Sequence, residues 1–222
     1  MQLSIKKLQP DTLMIELNNI TKQFKAGKLV FSSVNETFRK GEFIGLTGPN
    51  GSGKTTFLRL LSVNSFPTSG YITYKNMNIH ENPQAYLKDV GLVHDQESLP
   101  VHLSAVELLE WVLRSRNLWS ELSEKEINDI FDRLSLLDDR NEQIGTYSTG
   151  MKKKTQVAAA FITRPKVLIL DEPLRGLDSS TRGEVEKMLV EAKSRGALIL
   201  MASHTADVNA EFVDRTLEFP LS

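Results

Sequence analysis

Nine consecutive residues combine glycine, lysine and hydroxyl side chains at a spacing that suits phosphate binding. Residues 48–56 read GPNGSGKTT and match the loop pattern G-x-x-x-x-G-K-[ST], whose glycines let backbone N–H groups approach phosphate oxygens. Lys54 would neutralise the β- and γ-phosphate oxygens, and the Thr55 hydroxyl would ligate Mg²⁺. The predicted nucleotide-binding residues are Gly48, Pro49, Asn50, Gly51, Ser52, Gly53, Lys54, Thr55 and Thr56.

Two adjacent carboxylates follow a second informative stretch. Residues 167–170 form an uninterrupted apolar run, typical of a parallel strand buried on both faces, and Asp171 and Glu172 follow directly. At the carboxyl edge of a parallel sheet these acids would face the phosphate-binding crevice. Asp171 could hold Mg²⁺, and Glu172 could polarise the attacking water. The alternative is a solvated strand end, which the phosphate loop makes the weaker interpretation.

The segments around these motifs predict an α/β protein. Residues 42–47 and 55–61 supply the strand and the helix that a phosphate loop requires. Strand-like runs at 13–17 and 20–24, a turn at 25–28, and a second pair of runs at 29–38 and 42–47 predict antiparallel strands joined by short turns before that loop. From about residue 104 to 137 the apolar period becomes helical, with Ser123 and Glu126 matching a capping box. Regular α/β segments follow a helix predicted at 149–163, and they include a short helix near Asp207.

Composition limits the classes of function. The chain has 222 residues, is 40% hydrophobic and 25% charged, and has a net charge of −1, which gives no reason to expect a nucleic-acid partner. The absence of cysteine excludes disulfides and thiolate metal sites. No apolar run approaches the length of a membrane span, and the N-terminus lacks the apolar segment of a secretory signal. We therefore expect a cytosolic chain that reaches a membrane only through a partner.

In their order along the chain, these motifs resemble the nucleotide-binding subunit of ATP-binding-cassette (ABC) transporters, from about residue 14 to 219. The matching segments are 90–96 at the Q-loop, 147–151 (YSTGM) at the signature, 168–173 (LILDEP) at Walker B, 176–178 (GLD) at the D-loop and 203–204 at the switch histidine. The resemblance implies a P-loop NTPase with a mostly parallel core sheet, an antiparallel β subdomain near the N-terminus and a helical insertion. The ABC ATPase domain would span 13–219, with the core at about 13–95 and 164–219 and the helical subdomain at about 96–163.

The resemblance also assigns roles to residues outside the phosphate loop. Ser148, a predicted N-cap, and Gly150 would cap the γ-phosphate held by a second ABC ATPase subunit, so that two chains sandwich two ATP molecules head to tail. Thr149 and Met151 depart from the family's commoner Gly and Gln, which leaves fine tuning of this contact open. His204 would contact the γ-phosphate and the attacking water, although a histidine after a strand is otherwise more often structural.

Two further positions leave alternatives open. Phe24 matches the aromatic residue that stacks on adenine in the family, and an ordinary core phenylalanine is the alternative. Asp95 stands where the family usually has glutamine, with Gln96 next to it, and either side chain could supply an oxygen to Mg²⁺. Our hypothesis is Asp95, with Gln96 as the alternative. Residues 152–154, three lysines, are expected to form a solvated face of the signature helix.

The resemblance implies an ATPase subunit that binds ATP and Mg²⁺ at the cytoplasmic face of the membrane. It would pair with a second ABC ATPase subunit and power transport through a separate transmembrane permease subunit, with the helical insertion and the Q-loop as the docking region. The Tyr-Ser-x-Gly-Met signature and the end of the α/β elements near residue 219 look more like ABC-2-type exporters than importers. A soluble ABC ATPase without a membrane partner is the alternative. A binding module without hydrolysis would need the loss of Glu172 or His204, and both are present.

Overall fold

The computed structural model describes residues 13–24, 27–96, 98–203 and 212–221. His204 and the short helix predicted near Asp207 lie outside these ranges. In chain order the elements are β1 (Leu13–Gln23), β2 (Leu29–Arg39), β3 (Phe43–Thr47), α1 (Lys54–Leu61), β4 (Ser69–Tyr74), β5 (Met77–Asn78), α2 (Pro83–Leu87), β6 (Val90–Val93), α3 (Ala105–Ser115), α4 (Ser123–Arg133), α5 (Thr149–Phe161), β7 (Val167–Asp171), α6 (Ser179–Ser194), β8 (Leu198–Ala202) and β9 (Arg215–Glu218).

The core is a five-stranded parallel sheet with the order β6-β7-β8-β3-β9. Every residue of β7 and β8 is buried, which confirms the prediction from the apolar run at 167–170. Alternate side chains of β7 enter different apolar clusters, because Leu168 and Leu170 pack on one face and Val167 and Ile169 on the other. The sheet is therefore covered on both faces, as parallel sheets require.

A second sheet is antiparallel, with the order β2-β1-β4-β5. It forms one apolar cluster with α1 and one face of the parallel sheet. The prediction that residues 42–47 form part of an antiparallel group is wrong, because β3 pairs in parallel with β8 and β9. Four of the five β3 residues are buried or half-buried, so this strand belongs to the covered central sheet.

The helical insertion contains α3 and α4, which pack with α5 on the other face of the parallel sheet. The predicted capping box at Ser123 and Glu126 is wrong. Ser123 is the first residue of α4, and its hydroxyl accepts a hydrogen bond from the Ser120 N–H (2.9 Å). A capping box is formed instead by Ser104 and Glu107 at the start of α3. The predicted fold class is confirmed.

Candidate nucleotide-binding site

The carboxyl ends of β3, β6 and β7 meet at one edge of the parallel sheet. There a cleft of about 520 Å³ collects the phosphate loop, both segments that carry candidate metal ligands, and the connection between β1 and β2. Its lining residues are Phe24, Lys28, Leu29, Val30, Pro49, Asn50, Gly51, Ser52, Gly53, Lys54, Thr55, Thr56, Asp95, Asp171, Glu172 and Pro220. Gly48 lies at the base of the same loop. The topology thus brings together residues up to 196 positions apart, at the sheet edge where open α/β folds bind ligands.

The phosphate loop holds its lysine against its own backbone. Lys54 is 6% exposed, and its Nζ donates to the carbonyl oxygens of Gly48 (2.6 Å) and Pro49 (3.1 Å). Lys54 also begins α1, whose N-cap Gly53 offers no side-chain hydrogen bond and whose first turn has no acidic residue. The first N–H groups of α1 therefore have no side-chain cap, and an anion is the partner that suits them.

Two glycines make this loop possible. Gly48 has φ 136°, and a Cβ there would lie 2.4 Å from the Phe219 carbonyl oxygen. Gly53 has φ 113°, and its Cβ would lie 2.8 Å from a methyl group of Val30. In the same loop, the buried Ser52 hydroxyl has no hydrogen-bond partner among the described residues. At Gly48 and Gly53 no side chain covers the backbone, and the Ser52 hydroxyl lacks a described hydrogen-bond partner. Both features fit a loop that binds phosphate.

The carboxylates at the end of β7 are almost fully buried. Asp171 and Glu172 are 7% and 8% exposed. Burial raises the pKa of the Asp171 carboxyl, and a hydrogen bond from the Thr55 hydroxyl opposes this shift. Glu172 has φ 52°, a left-handed conformation that is uncommon for residues other than glycine. Such strained positions cluster at functional sites, and this one directs the chain out of β7 at the wall of the cleft.

The side chains at this edge of the sheet offer the kind of ligand atoms that Mg²⁺ binds. Thr55, Asp171 and Asp95 offer only oxygen atoms, which Mg²⁺ prefers, and all three line the cleft. No donor among the described residues approaches Asp95 Oδ1 at a hydrogen-bonding angle, although Arg175 Nη1 is 2.7 Å away. Within the described ranges no cluster of three or more His, Cys, Asp and Glu forms a metal site alone. Mg²⁺ in nucleotide sites commonly uses one or two carboxylates together with phosphates.

The segment after β6 separates the two candidates at the Q-loop. Asp95 lines the nucleotide cleft, whereas Gln96 is exposed and lines a neighbouring cavity of about 290 Å³. That cavity shares Thr55, Asp95 and Asp171 with the cleft. The geometry therefore favours Asp95 over Gln96, because only Asp95 lines the same cleft as residues 49–56 of the phosphate loop. The metal role of Asp95 stays a prediction.

The expectation of a solvated lysine run on the signature helix is wrong for Lys153. Its side chain is 1% exposed, and Nζ donates to the carbonyl oxygens of His94 (2.7 Å) and Asp95 (3.2 Å). A buried ammonium is tolerated because these acceptors replace water. The helical turn of α5 places Lys153 toward the Q-loop, so this lysine fixes the backbone beside the candidate metal ligand.

The signature residues lie outside the cleft of their own chain. Ser148 is exposed and caps α5 by accepting a hydrogen bond from the Met151 N–H (3.2 Å). Gly150 lies beside the D-loop, since a Cβ on it would be 3.2 Å from the Gly176 carbonyl oxygen. Neither Ser148 nor Gly150 lines the cleft, so the structure does not bring them to the phosphate loop within one chain.

Phe24 lies at the rim of the cleft and is 47% exposed. The alternative of an ordinary core phenylalanine is therefore wrong, while adenine stacking stays a prediction. Sequence reasoning missed four lining residues: Lys28, Leu29, Val30 and Pro220. The turn near residues 25–28 was evident, but nothing in the sequence indicated that β2 begins against the phosphate loop.

A parallel sheet with a phosphate loop after one strand, paired carboxylates after another and oxygen donors between them defines a P-loop nucleotide-hydrolysing protein. The chain belongs to the ABC transporter family, because a family model described as "ABC transporter" matches residues 31–175.

Relatives with curated names agree with this family. The chain is 34% identical to the uncharacterized ABC transporter ATP-binding protein YybJ of Bacillus subtilis, over 92% of each protein. It is 27% identical to the doxorubicin resistance ATP-binding protein DrrA of Mycobacterium tuberculosis, over 95% of this chain and 64% of DrrA. Other relatives of similar identity are named as import ATP-binding proteins. The family is thus clear, and the direction of transport differs among the relatives.

Among solved structures, the dimeric post-hydrolysis structure of the ATP-binding cassette MJ0796 bound to ADP and Pi is similar. Its TM-score is 0.83 at 26% identity, with 93% of this chain and 94% of that one covered. Within the described ranges, no helix combines the length and apolar character needed to cross a bilayer.

Proposed function

We propose that two copies of this ABC ATPase close over two ATP-Mg complexes, and that hydrolysis powers substrate transport through a separate transmembrane subunit. The observation that carries this proposal is the cleft that holds Lys54, Thr55, Asp171 and Glu172 together at one sheet edge. The named dimer of MJ0796 supports the pairing of two cassettes.

Each element of the cleft has a distinct task in ATP binding. Lys54 and the N–H groups at the start of α1 grip the β- and γ-phosphates, and Phe24 stacks on the adenine. The Thr55 hydroxyl, Asp171 and Asp95 would hold Mg²⁺, directly or through water. When bound, the ion would supply positive charge that offsets the negative charge on the phosphates.

Hydrolysis is assigned to groups at the ends of β7 and β8. Glu172 accepts a proton from the attacking water. Its side chain is buried and lines the same cleft as the phosphate loop, which is where the phosphates of ATP would bind. The role of His204 at the γ-phosphate is carried over from the family resemblance, since His204 lies outside the described residues. Ser148 and Gly150 of the second copy cap that phosphate, so each ATP is enclosed by two chains.

A transmembrane subunit is the partner that turns this cycle into transport. Val101, Trp111, Leu118 and Leu122 are large apolar side chains with 45–64% exposure, and all lie in the region predicted as the helical subdomain. Exposed apolar side chains on such a region favour a docking surface. We propose a peripheral protein on the cytoplasmic face, with export as the direction suggested by the signature and by the name of DrrA.

The hydrolytic assignment is tested with Glu172→Gln. We expect ATP binding to be retained and turnover to fall about 100-fold or more, because the general base is lost. The variant should also accumulate as an ATP-bound dimer in size-exclusion chromatography. Glu124→Gln, which changes an exposed carboxylate on α4, is the control with normal turnover. Normal turnover in Glu172→Gln would exclude Glu172 as the base.

The Q-loop assignment is tested by comparing Asp95→Asn with Gln96→Ala in Mg²⁺-dependent turnover. We expect the larger loss from Asp95→Asn, and wild-type rates in both would remove both residues from the metal site.

Co-purification distinguishes a transporter subunit from an uncoupled ATPase. The native chain should follow a transmembrane protein through detergent extraction of membranes, and recovery from the cytosol alone would favour the uncoupled ATPase.

A further inference from the structure

Arg175 links the end of β7 to the Q-loop. It follows Glu172 by three residues, and its Nη1 lies 2.7 Å from Asp95 Oδ1. Its Nη2 lies 3.5 Å from the backbone oxygen of the same aspartate. The ion pair therefore joins two segments that are 80 residues apart in the chain, both beside the nucleotide cleft.

The carboxylate that Arg175 contacts also faces the cleft. Asp95 shares the lining with Thr55 and Asp171, the other two candidate metal ligands. Its Oδ1 is buried and receives no hydrogen bond at a suitable angle from the described residues, so Arg175 neutralises it without saturating its lone pairs. An oxygen that is charged, buried and incompletely bonded is well suited to a metal ion.

We propose that Arg175 competes with nucleotide-bound Mg²⁺ for the Asp95 carboxylate. A guanidinium and a divalent cation at one carboxylate repel each other, so the ion pair and the metal contact are alternatives. Metal loading then exchanges one cation for another at Asp95 and releases Arg175. This inference rests on the proposed function, which gives Asp95 to the metal.

Released Arg175 acts on the segment that faces the second copy. The Arg175 N–H donates to the Glu172 carbonyl oxygen (3.3 Å), and Gly176 lies next to the signature glycine, Gly150. Two residues on, Asp178 pairs with Lys154 of α5 at 3.3 Å. The exchange at Asp95 thus couples metal binding to residues 176–178 (the D-loop) and to the start of α5, which carries the signature residues.

The Q-loop backbone stays in place during this exchange. Lys153 binds the carbonyl oxygens of His94 and Asp95, and Gln156 Nε2 donates to the Gln96 carbonyl oxygen (3.0 Å). Three backbone acceptors in succession are held by α5. The exchange therefore requires rotation of side chains only, and Arg175 acts as a positioning residue for the metal ligand.

The test measures how strongly Mg²⁺ tightens the binding of a fluorescent ATP analogue, mant-ATP, to the Glu172→Gln chain. The quantity is the ratio of the Kd in EDTA to the Kd in Mg²⁺, which expresses the coupling between metal and nucleotide. Arg175→Gln should raise this ratio about twofold to fivefold, the effect of removing a half-exposed ion pair. Arg175→Lys, which keeps the charge, should give a smaller increase.

A matched control is available on α3. Arg114 pairs with Glu110, and the side-chain exposures of this pair (56% and 36%) match those of Arg175 and Asp95 (56% and 37%). Arg114→Gln should leave the ratio unchanged. In the Asp95→Asn background, Arg175→Gln should have no further effect, because the shared carboxylate is gone.

The outcomes separate this inference from the function on which it rests. If Mg²⁺ does not tighten mant-ATP binding, or Asp95→Asn leaves the ratio unchanged, Asp95 is not a metal ligand and the proposed site fails. If Asp95→Asn lowers the ratio but Arg175→Gln does not raise it, the site stands and the competition is wrong. An equal effect of Arg175→Gln with and without Asp95 would also overturn the competition.

Discussion

The nucleotide cleft and the signature surface are both helix N-termini suited to phosphate, yet one chain completes only the first. At the cleft, α1 begins with the buried Lys54, and the buried Asp171 and Glu172 also line the cleft. At the signature, α5 begins behind the exposed Ser148, which lies outside that cleft. The difference teaches why the proposed function needs two copies: one chain offers a complete phosphate-binding cleft, whereas its signature residues lie outside that cleft and are left for a second copy.

The two caps differ in the same sense. Gly53 leaves the first N–H groups of α1 without a side-chain cap, so these backbone groups are available to an anion. Ser148 accepts a hydrogen bond from the Met151 N–H, which leaves its own proton to donate outward. The first arrangement suits a permanent cradle, and the second suits a contact that forms when another molecule arrives.

Lys54→Ala should weaken the cleft most. We expect mant-ATP affinity to fall about 30-fold or more, because truncating one partner of a buried charge pair costs about 2 kcal/mol or more. Lys152→Ala, on α5 outside the cleft, is the control with normal affinity. Equal affinity in both variants would mean that the cleft is not where the phosphates bind.

Ser148→Asp should separate the closing of the cleft by a second copy from nucleotide binding by one chain. Aspartate is as good an N-cap as serine, so α5 stays capped, but its charge would repel the γ-phosphate of the second copy. Turnover should fall about tenfold or more, while mant-ATP affinity of the isolated chain stays normal. Ser120→Asp, before α4, adds the same charge elsewhere. A loss of affinity in Ser148→Asp would place Ser148 in the cleft of its own chain and break the comparison.

Lys153→Met tests the connection between the two regions. It leaves the His94 and Asp95 carbonyl oxygens without their ammonium partner, which should lower the free energy of unfolding by about 1 to 3 kcal/mol. Lys152→Met should change it by less than about 0.5 kcal/mol. Urea denaturation of the two variants gives the comparison, and equal stability would mean that Lys153 is not structurally engaged.

Phe24→Ala should have the smallest effect. Loss of stacking on adenine costs about 1 kcal/mol, or roughly a fivefold loss of mant-ATP affinity. Phe66→Ala, which truncates a more exposed phenylalanine outside the cleft, should bind normally. If Phe24→Ala also binds normally, the base is held by other residues, of which Leu29 and Val30 are the apolar lining residues nearest to Phe24 in sequence.

The phosphate loop and the buried strand β7 could be predicted because their chemistry is local. Gly48, Gly53, Lys54 and Thr55 form a recognisable pattern within residues 48–55. The apolar run before Asp171 is equally local, and it is typical of a strand in a sheet covered on both faces. The direction of β3 could not be predicted. A short strand after a tight turn suggests a hairpin, and only the burial of both faces selects the parallel sheet instead.

The partners of charged side chains were also beyond the sequence. Three consecutive lysines look like a solvated helix face, yet Lys153 meets backbone carbonyl oxygens of the Q-loop 58 and 59 residues away. The Arg175–Asp95 pair likewise spans 80 residues. Such contacts depend on tertiary packing, and no local pattern of residues in the sequence predicts them.

The most direct test of whether the signature of a second copy closes the cleft uses the absence of cysteine in this chain. Asn50→Cys, in the exposed part of the phosphate loop, and Ser148→Cys are made separately in the Glu172→Gln background and then mixed. With ATP and an oxidant, a disulfide-linked dimer should form in the mixture and in neither variant alone. Linkage that needs no ATP, or that forms equally in Ser148→Cys alone, would contradict a cleft closed by the signature of a second copy.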